Sequence, residues 1–192
     1  EQAVTCLVCA ARPVVIAGNG VRMSGANASL HRLAHAMGVP VASSAAGKGV
    51  LPETDDWALG VYGTFGTALA NAVVAEADVL LVVGSKLGAT DTAFENPALI
   101  DPKRQRIVQI DVEPTHLSWT FPAEVELLGD AAAVLDALTD RVESRIADDV
   151  RHDRATRLQS AREQHGHFDA PELTSGAVPV LPQRVIKDLR EA

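Results

Sequence analysis

The chain has 192 residues, of which 47% are hydrophobic and only 4% aromatic, and its formal net charge is −8 at pH 7. This length suffices for one domain with a substantial core of Val, Leu, Ile and Ala. The negative charge and the lack of a basic cluster argue against a nucleic-acid partner. No apolar stretch reaches membrane-spanning length and no signal-peptide pattern opens the chain, so we expect no membrane partner.

The two cysteines, Cys6 and Cys9, form a C-x-x-C pattern, which fits a redox pair or half of a zinc site. No further cysteine is present to complete a zinc site. The surrounding residues have helix-like apolar spacing, and small buried cysteines are common on packed helix faces. We therefore predict core packing for both residues, and a cytoplasmic, reducing location for the protein.

A glycine turn follows the first predicted strand. Residues 1–12 are predicted to form a helix, residues 14–17 a strand, and residues 24–37 the first crossover helix, with Gly18-Asn19-Gly20 as the turn. Such a turn presents free N–H groups that suit a diphosphate. The glycine spacing departs from G-x-G-x-x-G, so a phosphate site and a plain tight turn remain equally supported by these residues.

The rest of the chain alternates strands with helices. The predicted strands are about 40–44, 78–83, 106–110 and 124–128, and the predicted helices are 68–76 and 131–146. Residues 51–62 are predicted to be irregular, and residues 89–104 form a polar excursion. The alternation predicts an α/β fold in three layers, with a doubly wound, parallel sheet of about six strands.

Glycine or aspartate follows most of the predicted strands. Gly84, Asp111, Gly129 and Asp130 all occupy such positions. Open α/β sheets bind ligands outside the carboxyl ends of their strands, so this clustering favours a nucleotide-sized groove. Asp111 could accept hydrogen bonds from a ribose or an adenine, or it could cap the next helix.

The composition changes near residue 148. We assign 1–147 to a central α/β domain and 148–181 to a linker that is first charged, with a solvated helix to about 165, and then proline-rich. Residues 182–192 have the pattern of the first helix of another domain. The chain is therefore expected to be part of a longer polypeptide.

No catalytic constellation is visible in the sequence. There is no G-x-S-x-G elbow, no H-E-x-x-H motif and no paired carboxylates in an apolar setting. Lys48 lies between two glycines, but not in a G-x-x-x-x-G-K-[ST] loop. We predict no catalytic residue and no metal site in this chain.

Five blocks of sequence, taken in order, resemble the central domain of thiamine-diphosphate-dependent enzymes of the acetolactate synthase, benzoylformate decarboxylase and oxalyl-CoA decarboxylase type. The blocks are RPVVIAGNGV at 12–21, GVPVASSAAGKGVLPE at 38–53, GVYGTFGTALANAVVAEADVLLVVGSKL at 60–87, IVQIDVEP at 107–114 and LLGDAAAVLDAL at 127–138. The segment VPVLPQRVIKDLREA at 178–192 resembles the linker and first helix of the family's C-terminal, diphosphate-binding domain, so residues 182–192 are expected to be the first helix of a truncated copy of that domain.

The resemblance implies a non-catalytic part of a carboligase or decarboxylase acting on 2-keto acids. In the family, thiamine diphosphate lies between the N-terminal and C-terminal domains of two subunits, and a C-terminal motif holds the diphosphate and Mg²⁺. The chain alone should therefore be inactive. The resemblance also implies a homodimeric or homotetrameric full enzyme, with the rest of its own polypeptide as this domain's partner.

The resemblance further implies a groove that holds FAD in acetolactate synthases and ADP in oxalyl-CoA decarboxylase. The residues it places there are Gly18, Asn19 and Gly20 at the diphosphate, Ser43, Ser44, Thr64 and Phe65 along the border, Gly84 and Lys86 in the loop after the fourth strand, and Asp111, Val112, Gly129 and Asp130 around the ribose and adenine.

The flavin loop departs from the synthase pattern Gly-Ala-Arg-Phe-Asp-Asp-Arg. Here Lys86 replaces the first Arg, Gly88 the first Asp and Thr90 the second Arg. Lysine substitutes poorly for an arginine that binds through two parallel hydrogen bonds. We therefore predict weak or no FAD binding, and an acetolactate-synthase-like relative without flavin.

Two other classes of protein compete with this interpretation. A stand-alone nucleotide-binding or regulatory module would also have such a sheet, but the proline-rich segment leading to residues 182–192 favours a larger enzyme. An NAD-dependent deacylase of the sirtuin type usually carries a four-cysteine zinc module, which two cysteines exclude.

Overall fold

Six parallel strands form one sheet in the order β3-β2-β1-β4-β5-β6 in the computed structural model, which describes residues 1–192. The strands are β1 (Pro13–Ala17), β2 (Val41–Ser43), β3 (Ala58–Val61), β4 (Val79–Val83), β5 (Arg106–Asp111) and β6 (Val125–Leu128). The helices are α1 (Gln2–Val8), α2 (Asn19–Met23), α3 (Asn27–Met37), α4 (Ala68–Glu76), α5 (Ala131–Val142), α6 (Asp148–His165) and α7 (Pro182–Glu191). Short 3-10 turns lie at Pro114–His116, Glu143–Arg145 and Pro171–Thr174.

The centre of the sheet is made by β1 and β4, which pair over their full length from Pro13 opposite Val79 to Ala17 opposite Val83. Every residue of both strands is buried, as expected for aliphatic strands covered on two faces. The edge strand β6 is only half-buried. The strand order is that of a doubly wound sheet, so the predicted fold class is confirmed.

Two hydrophobic clusters cover the faces of the sheet and make the three layers. On one face, Val15 and Ala17 of β1 pack with α1, α3 and α5. On the other face, Val14 and Ile16 pack with α4 and with Leu158 of α6. The alternation along β1 follows from the two-residue repeat of a strand, which sends neighbouring side chains to opposite faces.

The strand β3 lies inside the segment that was predicted to be irregular, so that prediction was wrong. Four residues with a glycine at positive φ (Gly60, φ +82°) give little strand signal. The strand forms because it pairs in parallel with its neighbour β2, and this pairing has a register shift between Val41 and Ala42. The strand is set by a long-range partner that local sequence does not reveal.

Several helix boundaries also differ from the predictions. Helix α2 begins directly after Gly18, five residues before the predicted start, and Gly25 at φ +66° separates it from α3. Helix α1 ends at Val8 rather than near residue 12. Helix α5 ends at Val142 and continues only as a 3-10 turn.

Helix α6 is predicted correctly, but one side of it is held against the domain. Arg154 is 5% exposed, and its two terminal nitrogens donate to the carbonyl oxygens of Met37 at 2.7 Å and Ala10 at 2.8 Å. Leu158 joins the second hydrophobic cluster. The assignment of residues 148–181 to a linker stays a prediction. In α7 no residue is buried.

The two cysteines have different surroundings. Cys6 is buried, as predicted, and lies 2.9 Å from a guanidinium nitrogen of Arg106, which also pairs with Glu124. Cys9 is exposed, so the prediction of core packing was wrong for it, because α1 ends before that residue. None of the helices has the combination of length and apolar character needed to cross a membrane.

Candidate functional site

The turns after β1 and β4 meet where the strand order reverses. The Gly18 N–H donates to the Val83 carbonyl at 2.8 Å, and the Gly20 N–H donates to the Gly84 carbonyl at 3.0 Å. A Cβ on Gly18 would lie 2.2 Å from the Gly84 oxygen, and one on Gly20 would lie 2.6 Å from the Gly84 Cα. These glycines are therefore required because the backbones of the two turns touch, whether or not a ligand binds outside them.

The corner after β2 is built from serine hydroxyls. The Ser44 Oγ accepts from the Gly47 N–H at 3.0 Å, and the Ser44 N–H donates to the Ala17 carbonyl at 3.0 Å. The Ser43 hydroxyl donates to the Gly60 carbonyl at 3.4 Å. Both serines are buried, so their hydroxyls hold the corner to its neighbours.

The turn after β4 carries the lysine of the predicted groove. The Lys86 ammonium lies 5.2 Å from the centre of the Trp119 ring, within the range of a cation–π contact. The Thr64 N–H donates to the Thr90 carbonyl at 2.9 Å, which ties the corner after β3 to the same loop. Phe65, beside it, is 71% exposed.

Asp111 ends β5 and organises the turn that follows it. Its Oδ1 accepts from the Glu113 N–H at 3.0 Å and lies 3.4 Å from the His116 Nδ1. The Asp111 carbonyl accepts from the Gly129 N–H at 3.0 Å, which joins the ends of β5 and β6. Asp130 caps α5 by accepting from the Ala133 N–H at 3.1 Å.

The sheet brings all the predicted groove residues to its carboxyl edge, and four of their seven polar side chains already have hydrogen-bond partners. These four side chains form hydrogen bonds within local turns and a helix cap, and they are those of Ser43, Ser44, Asp111 (through Oδ1) and Asp130. Asn19, half-buried at the start of α2, has no side-chain partner in the chain. The large apolar side chains left exposed near this edge are Met23, Phe65, Val112 and Leu128, beside the exposed cations of Arg22 and Lys86.

One cavity lies beside helix α6 and another beside the residues that follow it, and neither is lined by Gly18, Gly84 or Asp111. One, of about 390 Å³, lies between α4 and α6 near Pro13, at the amino end of β1. The other, of about 420 Å³, lies between the end of β3 and residues 166–168 and includes Phe65. At the switch point, the backbones of the turns after β1 and β4 are in direct contact.

A buried tyrosine and a carboxylate lie behind the corner after β3. The Tyr62 hydroxyl is fully buried and has no hydrogen-bond partner. Burial, and then the charge of Asp91, raises the pKa of Tyr62 well above its ordinary value. Burial also raises the pKa of Asp91, and the Ser85 hydroxyl, which donates to its Oδ2 at 3.3 Å, offsets part of that rise.

Three side chains that the sequence pattern did not connect converge on the surface next to α3. The Nε2 atoms of His31 and His35 lie 3.2 Å and 3.0 Å from the same oxygen, Asp55 Oδ2. Burial raises the pKa of Asp55, but hydrogen bonds from the Trp57 N–H and His35 outweigh it, so the pKa lies below its ordinary value. The H-x-x-x-H spacing was the available sequence signal, because it places both rings on one face of a helix.

The strand order and the row of turns along the carboxyl edge define a domain of the doubly wound α/β class. A comparison with known protein families identifies the family within this class. The family described as "Thiamine pyrophosphate enzyme, central domain" matches residues 1–138, and the chain belongs to this family.

Curated relatives support the same assignment. The chain is 35% identical over 180 residues to a probable acetolactate synthase large subunit of Methanocaldococcus jannaschii, covering 94% of this chain and 29% of the relative. It is 34% identical over 140 residues to the acetolactate synthase isozyme 3 large subunit of Escherichia coli K12, covering 73% and 24%. It is 32% identical over 142 residues to a sulfoacetaldehyde acetyltransferase of Alcaligenes xylosoxydans xylosoxydans, covering 74% and 24%.

A solved structure shares the fold. An X-ray structure of a putative thiamin diphosphate-dependent enzyme from Mycobacterium smegmatis superposes with a TM-score of 0.59 at 22% identity, covering 77% of this chain and 28% of that one. The chain thus spans less than a third of the length of each of these proteins.

Proposed function

We propose that the chain is the central, non-catalytic domain of a thiamine-diphosphate-dependent carboligase or decarboxylase acting on 2-keto acids, of the acetolactate synthase type. The observation that carries this proposal is the family match over residues 1–138. Thiamine diphosphate and Mg²⁺ belong, in this proposal, to other parts of a longer polypeptide that assembles as a homodimer or homotetramer in the cytoplasm.

The donor set of the chain supports placing Mg²⁺ elsewhere. The one grouping of three or more metal-capable side chains is His31, His35 and Asp55, which offers two nitrogens and one oxygen. Mg²⁺ prefers oxygen ligands in octahedral geometry. These residues do not fit a magnesium–diphosphate site, so we derive no catalytic step within this domain.

The carboxyl edge supports a vestigial nucleotide groove. FAD or ADP would bind such a groove through sugar and phosphate groups, which require protein atoms that are free to form hydrogen bonds. Ser44, Asp111 and Asp130 are engaged in local turns, and Lys86 lies over Trp119. The exposed apolar side chains of this edge, Phe65 and Val112 among them, suit contact with another part of the protein.

The test compares the chain with the native polypeptide that contains it. We expect the native polypeptide to release CO₂ from a 2-keto acid such as pyruvate when thiamine diphosphate and Mg²⁺ are supplied. We expect the 192-residue chain to show neither CO₂ release nor saturable quenching of its tryptophan fluorescence by thiamine diphosphate. CO₂ release by the chain alone, or none by the native polypeptide over a panel of 2-keto acids, would overturn the proposal.

A further inference from the structure

We propose that His31, His35 and Asp55 form a binding site for a divalent transition-metal ion of the Zn²⁺ class. The site lies on the surface between α3 and the loop before β3, away from the carboxyl edge of the sheet. It does not depend on the proposed function.

Two of the three distances among the ligand atoms match those of a metal site. Asp55 Oδ2 is 3.0 Å from the His35 Nε2 and 3.2 Å from the His31 Nε2, and all the ligand atoms lie within 4.8 Å of one another. A tetrahedral Zn²⁺ bonded at about 2.0 Å separates its ligand atoms by about 3.3 Å. The two distances to Asp55 Oδ2 are therefore already close to those around a bound ion.

The helix presents the two imidazoles together. His31 and His35 are four residues apart on α3, one turn of helix, and their rings stack with centroids 4.2 Å apart. The same spacing places two histidines on one helix face in known zinc sites. Both side chains are about half exposed, at 52% and 41%, so an ion and its remaining water ligands can reach them.

The carboxylate is held in place before any ion arrives. The side chain of Asp55 is only 8% exposed, and its Oδ1 accepts from the Trp57 N–H at 2.8 Å. This bond leaves Oδ2 directed at the two histidines. Arg162 of α6 donates to the Asp56 carbonyl at 2.8 Å and to the Ala58 carbonyl at 3.2 Å, which fixes the loop from its other side. Such outer contacts orient metal ligands.

The chemistry of the set selects the ion. Two imidazole nitrogens and one carboxylate oxygen suit Zn²⁺ and its neighbours, and leave room for one or two waters. The alternative role is simpler: the two imidazoles donate hydrogen bonds to one carboxylate and hold α3 to the loop. The two roles differ in what happens when metal is added.

The experiment is a calorimetric titration of the EDTA-treated 192-residue chain with ZnCl₂, repeated with variants. We expect one Zn²⁺ per chain. We expect His31→Ala and His35→Ala each to weaken binding at least about tenfold, because loss of even an outer partner of a metal ligand costs about 10- to 100-fold in affinity. These histidines are exposed, so circular dichroism should show that both variants fold.

Two matched controls keep the test sharp. His116→Ala removes another partly exposed histidine next to a carboxylate, that of Asp111, but this histidine has no second imidazole. Cys9→Ser removes the exposed thiol, a competing zinc ligand. Neither should change the affinity by more than about twofold. The Co²⁺ form should show visible d–d bands without a thiolate charge-transfer band.

Three results would overturn the proposal. The first is the absence of saturable Zn²⁺ binding at one ion per chain. The second is an unchanged Zn²⁺ affinity in both His31→Ala and His35→Ala. The third is a loss of Zn²⁺ affinity in the His116→Ala or Cys9→Ser control that equals the loss in the two histidine variants. The first would leave the cluster as a hydrogen-bonded clamp.

Discussion

Gly18 lies where the turns after the two central strands are in backbone contact. A Cβ added to this residue would lie 2.2 Å from the Gly84 oxygen and 2.6 Å from the Ser85 Cβ, so there is no room for a methyl group. This residue is needed for folding, and a ligand is not required to explain it.

We expect Gly18→Ala to destabilise the chain by about 3 kcal/mol, because a backbone clash forces both turns apart. This corresponds to a fall in Tm of roughly 6–12 °C. The control is Gly88→Ala, whose added Cβ would meet nothing within 4 Å. Thermal unfolding should separate the two variants, and equal Tm values would contradict the packing role of Gly18.

Asp91 gives the chain a specific pH dependence. Burial raises its pKa above the ordinary 3.8, so at a pH between these two pKa values the folded state holds a proton that the unfolded state has lost. Stability from this group is therefore full below about pH 3.8 and is lost as the pH rises through the raised pKa.

The variant Asp91→Asn removes this titration and keeps an oxygen for the Ser85 hydroxyl. We expect it to be more stable than the parent at pH 7, with a difference that shrinks as the pH falls toward about 4. Urea unfolding across this range measures the difference. A variant that is less stable than the parent at pH 7 would show that the charged carboxylate supports the fold.

At the scale of elements, α6 is the helix whose contacts with the rest of the domain could not be predicted from the sequence. Its composition is charged, and a solvated helix is a fair prediction from that. The structure adds one buried arginine, which bonds two carbonyl groups, one after α1 and one at the end of α3. Since those carbonyls are buried, the arginine satisfies them and ties α6 to the sheet-covering helices.

We expect Arg154→Met to cost about 2–4 kcal/mol, because it leaves two buried carbonyl oxygens without a donor. Arg157→Met is the matched control, since it also removes one positive charge from α6 but breaks only an exposed pair with Asp153. That change should cost less than about 0.5 kcal/mol. If both variants unfold at the same urea concentration, α6 is not fastened by Arg154.

Local sequence determines some elements better than others. Strands β1 and β4 are predictable because five apolar residues in a row, ended by glycine, have few alternatives. Strand β3 is not, since its pairing depends on β2 and on a register shift. The early start of α2 was not predicted, because Gly18 is both the turn after β1 and the residue that directly precedes the helix.

At the scale of the whole molecule, the sheet order explains why the edge residues were predictable as a group. Parallel strands deliver their carboxyl ends to one edge, so glycines and aspartates after strands must be neighbours. What each residue does there was not predictable, because hydrogen bonds such as that from the Glu113 N–H to Asp111 depend on the folded turn. The cluster of His31, His35 and Asp55 was missed because the aspartate lies 20 residues from His35.

This domain has a doubly wound sheet, a fold that often binds nucleotides, and we expect it to lack a tight nucleotide site. A calorimetric titration of the chain with FAD, ADP and NAD, together with its visible absorbance as purified, decides whether that is so. We expect a colourless protein and no binding tighter than about micromolar for any of the three. A yellow preparation, or sub-micromolar FAD or ADP binding that Asp111→Ala weakens, would contradict this expectation and make the carboxyl edge a working cofactor site.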